Sequence, residues 1–133
     1  MLTDTDLDVL ITKKFVTYRE DIVAEFRKKH PYIVGVLEKV LANQETRVGL
    51  QVVESGQVIG EYTFLLAGIN ISDTKTGLLD SYVKHPILGI VIKPYIVLEK
   101  SEIERIIDDT SYRDDLFTYI TNLLPKVTLK FMP

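Results

Sequence analysis

Arg47-Val48-Gly49-Leu50-Gln51-Val52-Val53-Glu54-Ser55-Gly56-Gln57-Val58-Ile59-Gly60-Glu61-Tyr62-Thr63-Phe64-Leu65-Leu66 is the stretch over which the chain changes its hydrophobic period. Val48, Leu50 and Val52 alternate with Arg47, Gly49 and Gln51, the pattern of a strand with one face buried. Glu54-Ser55-Gly56-Gln57 is turn chemistry, with a glycine free to take a positive φ. Val58, Gly60, Tyr62, Phe64 and Leu66 then share one face of a second strand. Gly68 breaks that strand, and Ile69 and Ile71 predict a third one ending near Asp73. The whole stretch reads as a meander of three antiparallel strands.

Upstream, the period is helical. Thr17 and Glu20 have the spacing of a capping box, and Ile22, Val23 and Phe26 follow on one helical face. Pro31 suits the first position of a second helix, whose broad apolar face is Ile33, Val34, Leu37, Val40 and Leu41. Residues 1–16 are polar and then mixed, and read as an N-terminal arm to a single domain over 17–133.

Downstream, Thr74 to Pro86 reads as a connection, with room for a helical turn around Leu78–Val83. Ile90 to Leu98 is a strand apolar on both faces, placed by Pro94 at an edge or a bulge. Ser101 and Glu104 suggest a second capping box ahead of Ile103, Ile106 and Ile107. A helix follows from Tyr112 to Leu124, with Leu116, Phe117, Ile120, Leu123 and Leu124 as its apolar side, and Pro125 stops it. Val127, Leu129 and Phe131 alternate with lysines and threonine as a closing strand. The expected fold class is therefore α+β: a mostly antiparallel five-stranded sheet with helices packed on one face.

Composition narrows the function. A chain of 133 residues, 46% hydrophobic and 26% charged, has the length and makeup of one globular domain. Its 16 basic against 19 acidic residues argue against binding a nucleic-acid backbone, which needs clustered positive charge. With no cysteine, thiol catalysis and thiolate metal sites are excluded. The acidic start, Met1-Leu2-Thr3-Asp4, is not that of a signal peptide, and the expected address is cytoplasmic.

Motifs for chemistry are sparse. His30 and His85 each precede a proline and form no close-spaced ligand pair, so no metal is expected. No serine sits in a glycine-flanked elbow, and the glycines form no phosphate-cradling loop. Asp108-Asp109 and Asp114-Asp115 flank helix ends, where negative charge is favourable in its own right. Arg27, Lys28 and Lys29 end a helix, with at most a peripheral membrane contact as their functional reading. A non-enzymatic protein without a cofactor is the expectation.

The stretch Ile90-Val91-Ile92-Lys93-Pro94-Tyr95-Ile96-Val97-Leu98-Glu99-Lys100-Ser101-Glu102-Ile103-Glu104-Arg105-Ile106-Ile107 resembles the strand, polar break and capped helix of the sterol carrier protein type 2 family. Leu116-Phe117 through Leu124-Pro125-Lys126-Val127-Thr128-Leu129-Lys130-Phe131 is similar to that family's later helix and lysine-alternating strand. The resemblance is one of element order over roughly residues 17–131. It implies a non-enzymatic cavity between sheet and helices that holds a fatty acyl chain, a sterol-like molecule or another lipid. By the same resemblance Phe64, Leu66, Ile107, Leu116, Phe117, Ile120 and Leu124 would line it. The alternative is an interaction module or homo-oligomer pairing through a sheet edge or an apolar helix face. A third reading is a small enzyme built from scattered Asp, Tyr and Lys residues.

Overall fold

The meander forms as its alternation requires. In the computed structural model, which describes residues 4–42, 44–85 and 87–133, β1 (Thr46–Glu54), β2 (Gln57–Ala67) and β3 (Asn70–Thr76) are consecutive antiparallel strands. Met1 to Thr3 of the arm, and Pro86, lie outside the described residues. Leu50 stands opposite Tyr62 and Val48 opposite Phe64, so the apolar residues of both strands face the same way. Ser55 (φ 52°) and Gly56 (φ 79°) make the two-residue turn, in which two successive positive φ values match the strands' own twist.

A small hairpin, β4 (Val83–Lys84) with β5 (Val91–Ile92), comes next, and β6 (Pro94–Glu99) then runs parallel to β1. The closing strand β7 (Thr128–Phe131) pairs antiparallel with β6, giving a five-stranded mixed sheet in the order β3-β2-β1-β6-β7. Three of its four pairings are antiparallel. β6 is therefore not an edge strand. The chain breaks at Lys93, and Pro94 takes the first strand position, where its missing N–H matters least.

A parallel partner for β1 demands a crossover. Leu78 to Tyr82 crosses the sheet in extended form instead of making the helical turn read from the sequence. Thr63 explains this: its hydroxyl donates to the Leu78 carbonyl at 2.9 Å and accepts the Asp80 N–H at 2.8 Å. Arg47 and Tyr82 also exchange backbone hydrogen bonds. The crossing is tight enough that a Cβ at Gly49 would stand 2.8 Å from the Ser81 Oγ and 2.9 Å from the Leu79 Cδ2.

The other face of the sheet carries the helices. α1 (Asp4–Val9), a π-helical segment (Leu10–Phe15) and α2 (Val16–Lys29) join without a break, because Val9, Phe15 and Val16 all have helical φ and ψ. Thr17 and Glu20 consequently lie inside a helix and form no capping box. Glu20 accepts the Ile71 N–H at 2.6 Å and an Asn70 side-chain hydrogen, while Arg19 donates to the Ile69 carbonyl, so the pair ties the helix to the β2–β3 turn. The π-helical segment presents Leu10, Ile11 and Phe15 to the core. The residues read as an arm thus supply part of the interior.

The remaining helices are α3 (Pro31–Leu41), α4 (Lys100–Ile106) and α5 (Leu116–Leu123). α4 starts one residue ahead of Ser101, with Glu99 at its cap position and no side-chain cap, so the expected second capping box is absent. α5 starts later than read, since Asp115 is its N-cap and Ser111–Arg113 form a separate 3-10 turn. Leu7, Ile11, Phe15, Tyr18, Leu50, Val52, Tyr62, Phe64, Leu98, Ile103, Ile106, Tyr112, Leu116 and Tyr119 all belong to one buried cluster.

Ile11 has no exposed surface. Ile11→Ala is expected to cost about 2–5 kcal/mol in chemical unfolding, and a loss below about 1 kcal/mol would mean that the helix does not seat on the sheet. Asp115 provides a pH test. Hydrogen bonds from the Thr118 N–H and hydroxyl hold its carboxyl below the usual carboxylate range. Its contribution is present in full above the unfolded value of about 3.9 and is lost as pH falls through the lower folded value. Asp115→Ala should lower Tm at neutral pH and by progressively less as pH falls below the unfolded value of about 3.9; a deficit that stays equal as pH falls would contradict this cap.

Candidate functional site

The seven residues singled out in the sequence fall in three places. Phe64 and Leu116 are in the buried cluster, and the Phe64 ring stacks at a tilt 5.8 Å from Phe15. Leu66 and Ile107 are half-buried at the end of β2 and just past α4. Phe117, Ile120 and Leu124, spaced i, i+3 and i+7 from the start of α5, share one flank of that helix and are exposed, Phe117 to 81% and Leu124 to 62%. Ile11, Phe15 and Tyr18 of the N-terminal helix belong to the same buried cluster as Phe64 and Leu116.

The exposed flank has an apolar neighbour that the sequence reading did not include. Leu129 stands opposite Ile96, which is level with Leu50, and Leu50 is opposite Tyr62. Residues level with one another share a face, so Leu129 lies on the helix-bearing side, as does Phe131 opposite Pro94. Unlike the strands beside it, β7 is left open there, with Leu129 57% and Phe131 56% exposed. Tyr119 and Leu123 on the other flank of α5 line a cleft with Arg105 and Ile106 of α4. Phe117, Ile120 and Leu124 are not among the residues lining that cleft and lie on the flank of α5 away from it. The outer flank of α5 and the open face of β7 are thus two exposed apolar surfaces of the closing part of the chain, together termed the shelf. The alternation through Val127, Leu129 and Phe131 signalled the strand, but only the strand order shows it to be an edge.

The clefts offer less chemistry. The one between α4 and α5, about 440 Å³ and open, gathers Arg105, Asp109, Asp114, Asp115, Tyr119 and Lys126. Asp109 and Asp115 are already engaged. Asp109 accepts from the Ser111 hydroxyl and N–H, which hold it below the ordinary carboxylate range, and Asp115 is the helix cap. Arg105 pairs with Glu102, as does Lys126 at 3.8 Å. A second open cleft of about 500 Å³ runs between Lys13, Lys14, Thr17 and Asp21 on one side and Glu104, Ile107 and Asp108 on the other.

Three tyrosines, from α2, the 3-10 turn and α5, meet in the interior. The hydroxyls of Tyr18 and Tyr119 hydrogen-bond to each other, and Tyr112 stands edge-on to both rings at 6.4 and 5.7 Å. Burial first, and then the bond to Tyr119, push the Tyr18 phenol well above the ordinary tyrosine range; burial also raises Tyr119. Both stay protonated at neutral pH, so this trio joins helices and supplies no base.

His85 accepts the Ile87 and Leu88 N–H groups on its Nδ1, at 3.2 and 3.0 Å, and so shapes a hairpin turn. Arg27 is paired with Glu38 at 2.9 Å, and Lys29 with Glu25 at 3.5 Å, which leaves Lys28 as the member of the basic cluster without an ion pair among the described residues. Among the described residues no three His, Cys, Asp or Glu side chains converge as a metal site, and no helix is long and apolar enough to cross a membrane. Comparison of the sequence with protein-family models and with curated proteins finds no match to either.

Proposed function

We propose that the protein is a non-enzymatic binder of an apolar ligand, such as a fatty acyl chain or sterol-like molecule, held on the shelf between α5 and β7. The observation that carries this reading is the cluster Phe117, Ile120, Leu124, Leu129 and Phe131, exposed beside an otherwise well-covered core. These two sets of side chains are taken as one apolar patch, and a patch larger than about a few hundred Å² on a monomer usually has an occupant. Each methylene buried there would contribute about 0.8 kcal/mol, so an acyl chain gains affinity without a charged anchor. Charge is indeed scarce on the shelf. Lys130 of β7 alternates to the opposite sheet face, and the charged cleft lies on the far flank of α5. The element order, helices followed by a three-strand meander and then strand, helices and strand, agrees with the sterol-carrier-like reading of the sequence.

A specific feature supports a second reading. β7 is an edge strand whose four residues are all exposed, and an uncovered edge is a template for pairing with another copy. One titration separates the two. Long-chain fatty acid added to the full chain should stabilise it by about 2.7 kcal/mol at a hundred-fold excess over Kd. The gain should disappear in Leu129→Lys and in Phe117→Asp, both of which alter exposed positions and should leave the fold intact. If neither fatty acid nor sterol shifts Tm, and a concentration-dependent mass collapses to monomer in Leu129→Lys, the shelf is a dimer interface and the ligand reading fails.

A further inference from the structure

We propose that the end of the molecule formed by α3 and the β4–β5 hairpin docks on an anionic lipid bilayer. This surface is distinct from the shelf, and the inference does not depend on the ligand. Two apolar elements lie toward that end. Arg27 of α2 pairs with Glu38 of α3, and Glu38 packs against Gly68 in the β2–β3 turn, which places α3 beside the end of β2. Leu66 at the end of β2 is opposite Thr46, where β1 begins, and Tyr82 bridges to Arg47 just ahead of the hairpin. Both elements thus leave the sheet where β1 starts.

α3 buries Val34 and leaves Ile33, Val36, Leu37 and Val40 exposed at the i, i+3, i+4, i+7 spacing of one helix face, with Tyr32 exposed at its start. The hairpin carries Ile87 (87% exposed), Leu88 (68%), Ile90, Val91 and Ile92. An amphipathic helix beside an apolar tip is a shape suited to the boundary between headgroups and acyl chains, where a tyrosine also sits well.

Charge selects the occupant. Exposed Lys28, Lys39, Lys84 and Lys93 lie on or beside these two elements, and none takes part in an ion pair among the described residues. Most carboxylates at this end are matched, Glu38 with Arg27, Glu45 with Arg47, and Asp80 with Arg47 and Lys75, while Asp73 on β3 accepts the Thr74 N–H. Glu54, Glu99, Glu102 and Glu104 are gathered at the opposite end, where β1 and β6 finish and α4 begins. The chain is acidic in sum, with a formal charge of −3, yet it presents lysines around its apolar end. A second copy seated there by a twofold axis would set like charges against each other, whereas an anionic surface would attract them.

The test is flotation of the full chain with vesicles of phosphatidylcholine alone and of phosphatidylcholine mixed with phosphatidylglycerol. Partition is expected onto the mixed vesicles, falling as salt rises. I87D/L88D and K84E/K93E, with folding checked by circular dichroism, should each weaken it by about tenfold or more. Phe117→Asp, on the ligand shelf, should leave it unchanged, so failure of the ligand reading and failure of docking remain distinguishable. No partition by the unaltered chain, or equal partition onto both vesicle types, overturns the proposal. So does a self-associated species that I87D/L88D disperses in the absence of lipid.

Discussion

The long N-terminal helix lies across one face of the sheet, and most of the molecule is arranged around that contact. Ile11, Phe15 and Tyr18 meet Leu50, Val52, Tyr62 and Phe64 in one cluster, and α4 and α5 complete it with Ile103, Ile106, Leu116 and Tyr119. A π-helical segment allows this. It holds Leu10, Ile11 and Phe15 toward the strands where the helix crosses them, a wider turn than an α-helix makes. Polar ties fix both ends of the contact: Tyr62 donates to Asp8 at 2.7 Å near the start, and Arg19 and Glu20 hold the β2–β3 turn. The helix thus covers the middle of the sheet. Apolar binding surface must be sought at the margins.

The margins have that surface. α3 and α5 are each amphipathic, and each buries only part of its apolar face. At α5 the remainder is on the flank away from the charged cleft, which on the proposed reading suits an apolar chain. At α3 the remainder lies beside lysines and an apolar hairpin, which suits an anionic membrane. On these two proposals, the surfaces would be complementary in use, one holding the apolar ligand and the other meeting a bilayer. Asp109 and Asp115 in the clefts, by contrast, are occupied as turn and cap, and the buried tyrosines are held protonated.

Much of this was legible in the sequence because the signals were local. The alternation from Val48 to Leu66 and the turn at Ser55-Gly56 marked the meander, and the helical periods located α3 and most of α5. What was not legible was non-local. No pattern within residues 4–15 indicates that they continue α2, because the π-helical segment departs from the 3.6 period on which the reading relied. Thr17 and Glu20 had the spacing of a cap, but Glu20's partner is Ile71, 51 positions away. Phe117, Ile120 and Leu124 were correctly grouped on the apolar side of their helix. Periodicity says which residues share a face, however, and is silent on which half of it the core covers. The parallel pairing of β1 with β6, which makes β7 an edge, depends on Thr63 and Gly49 guiding a distant segment across the sheet.

Photocrosslinking with a long-chain fatty acid that carries a diazirine near its tail would test the central claim most directly, because it reports where an apolar chain lies without altering the protein. Peptides spanning residues 116–131 should carry the label, and those spanning residues 7–18 should not. Label concentrated on Leu7 to Tyr18 would mean that the ligand displaces the N-terminal helix from the sheet, and would contradict this division of the molecule into a filled core and a binding surface at its margin.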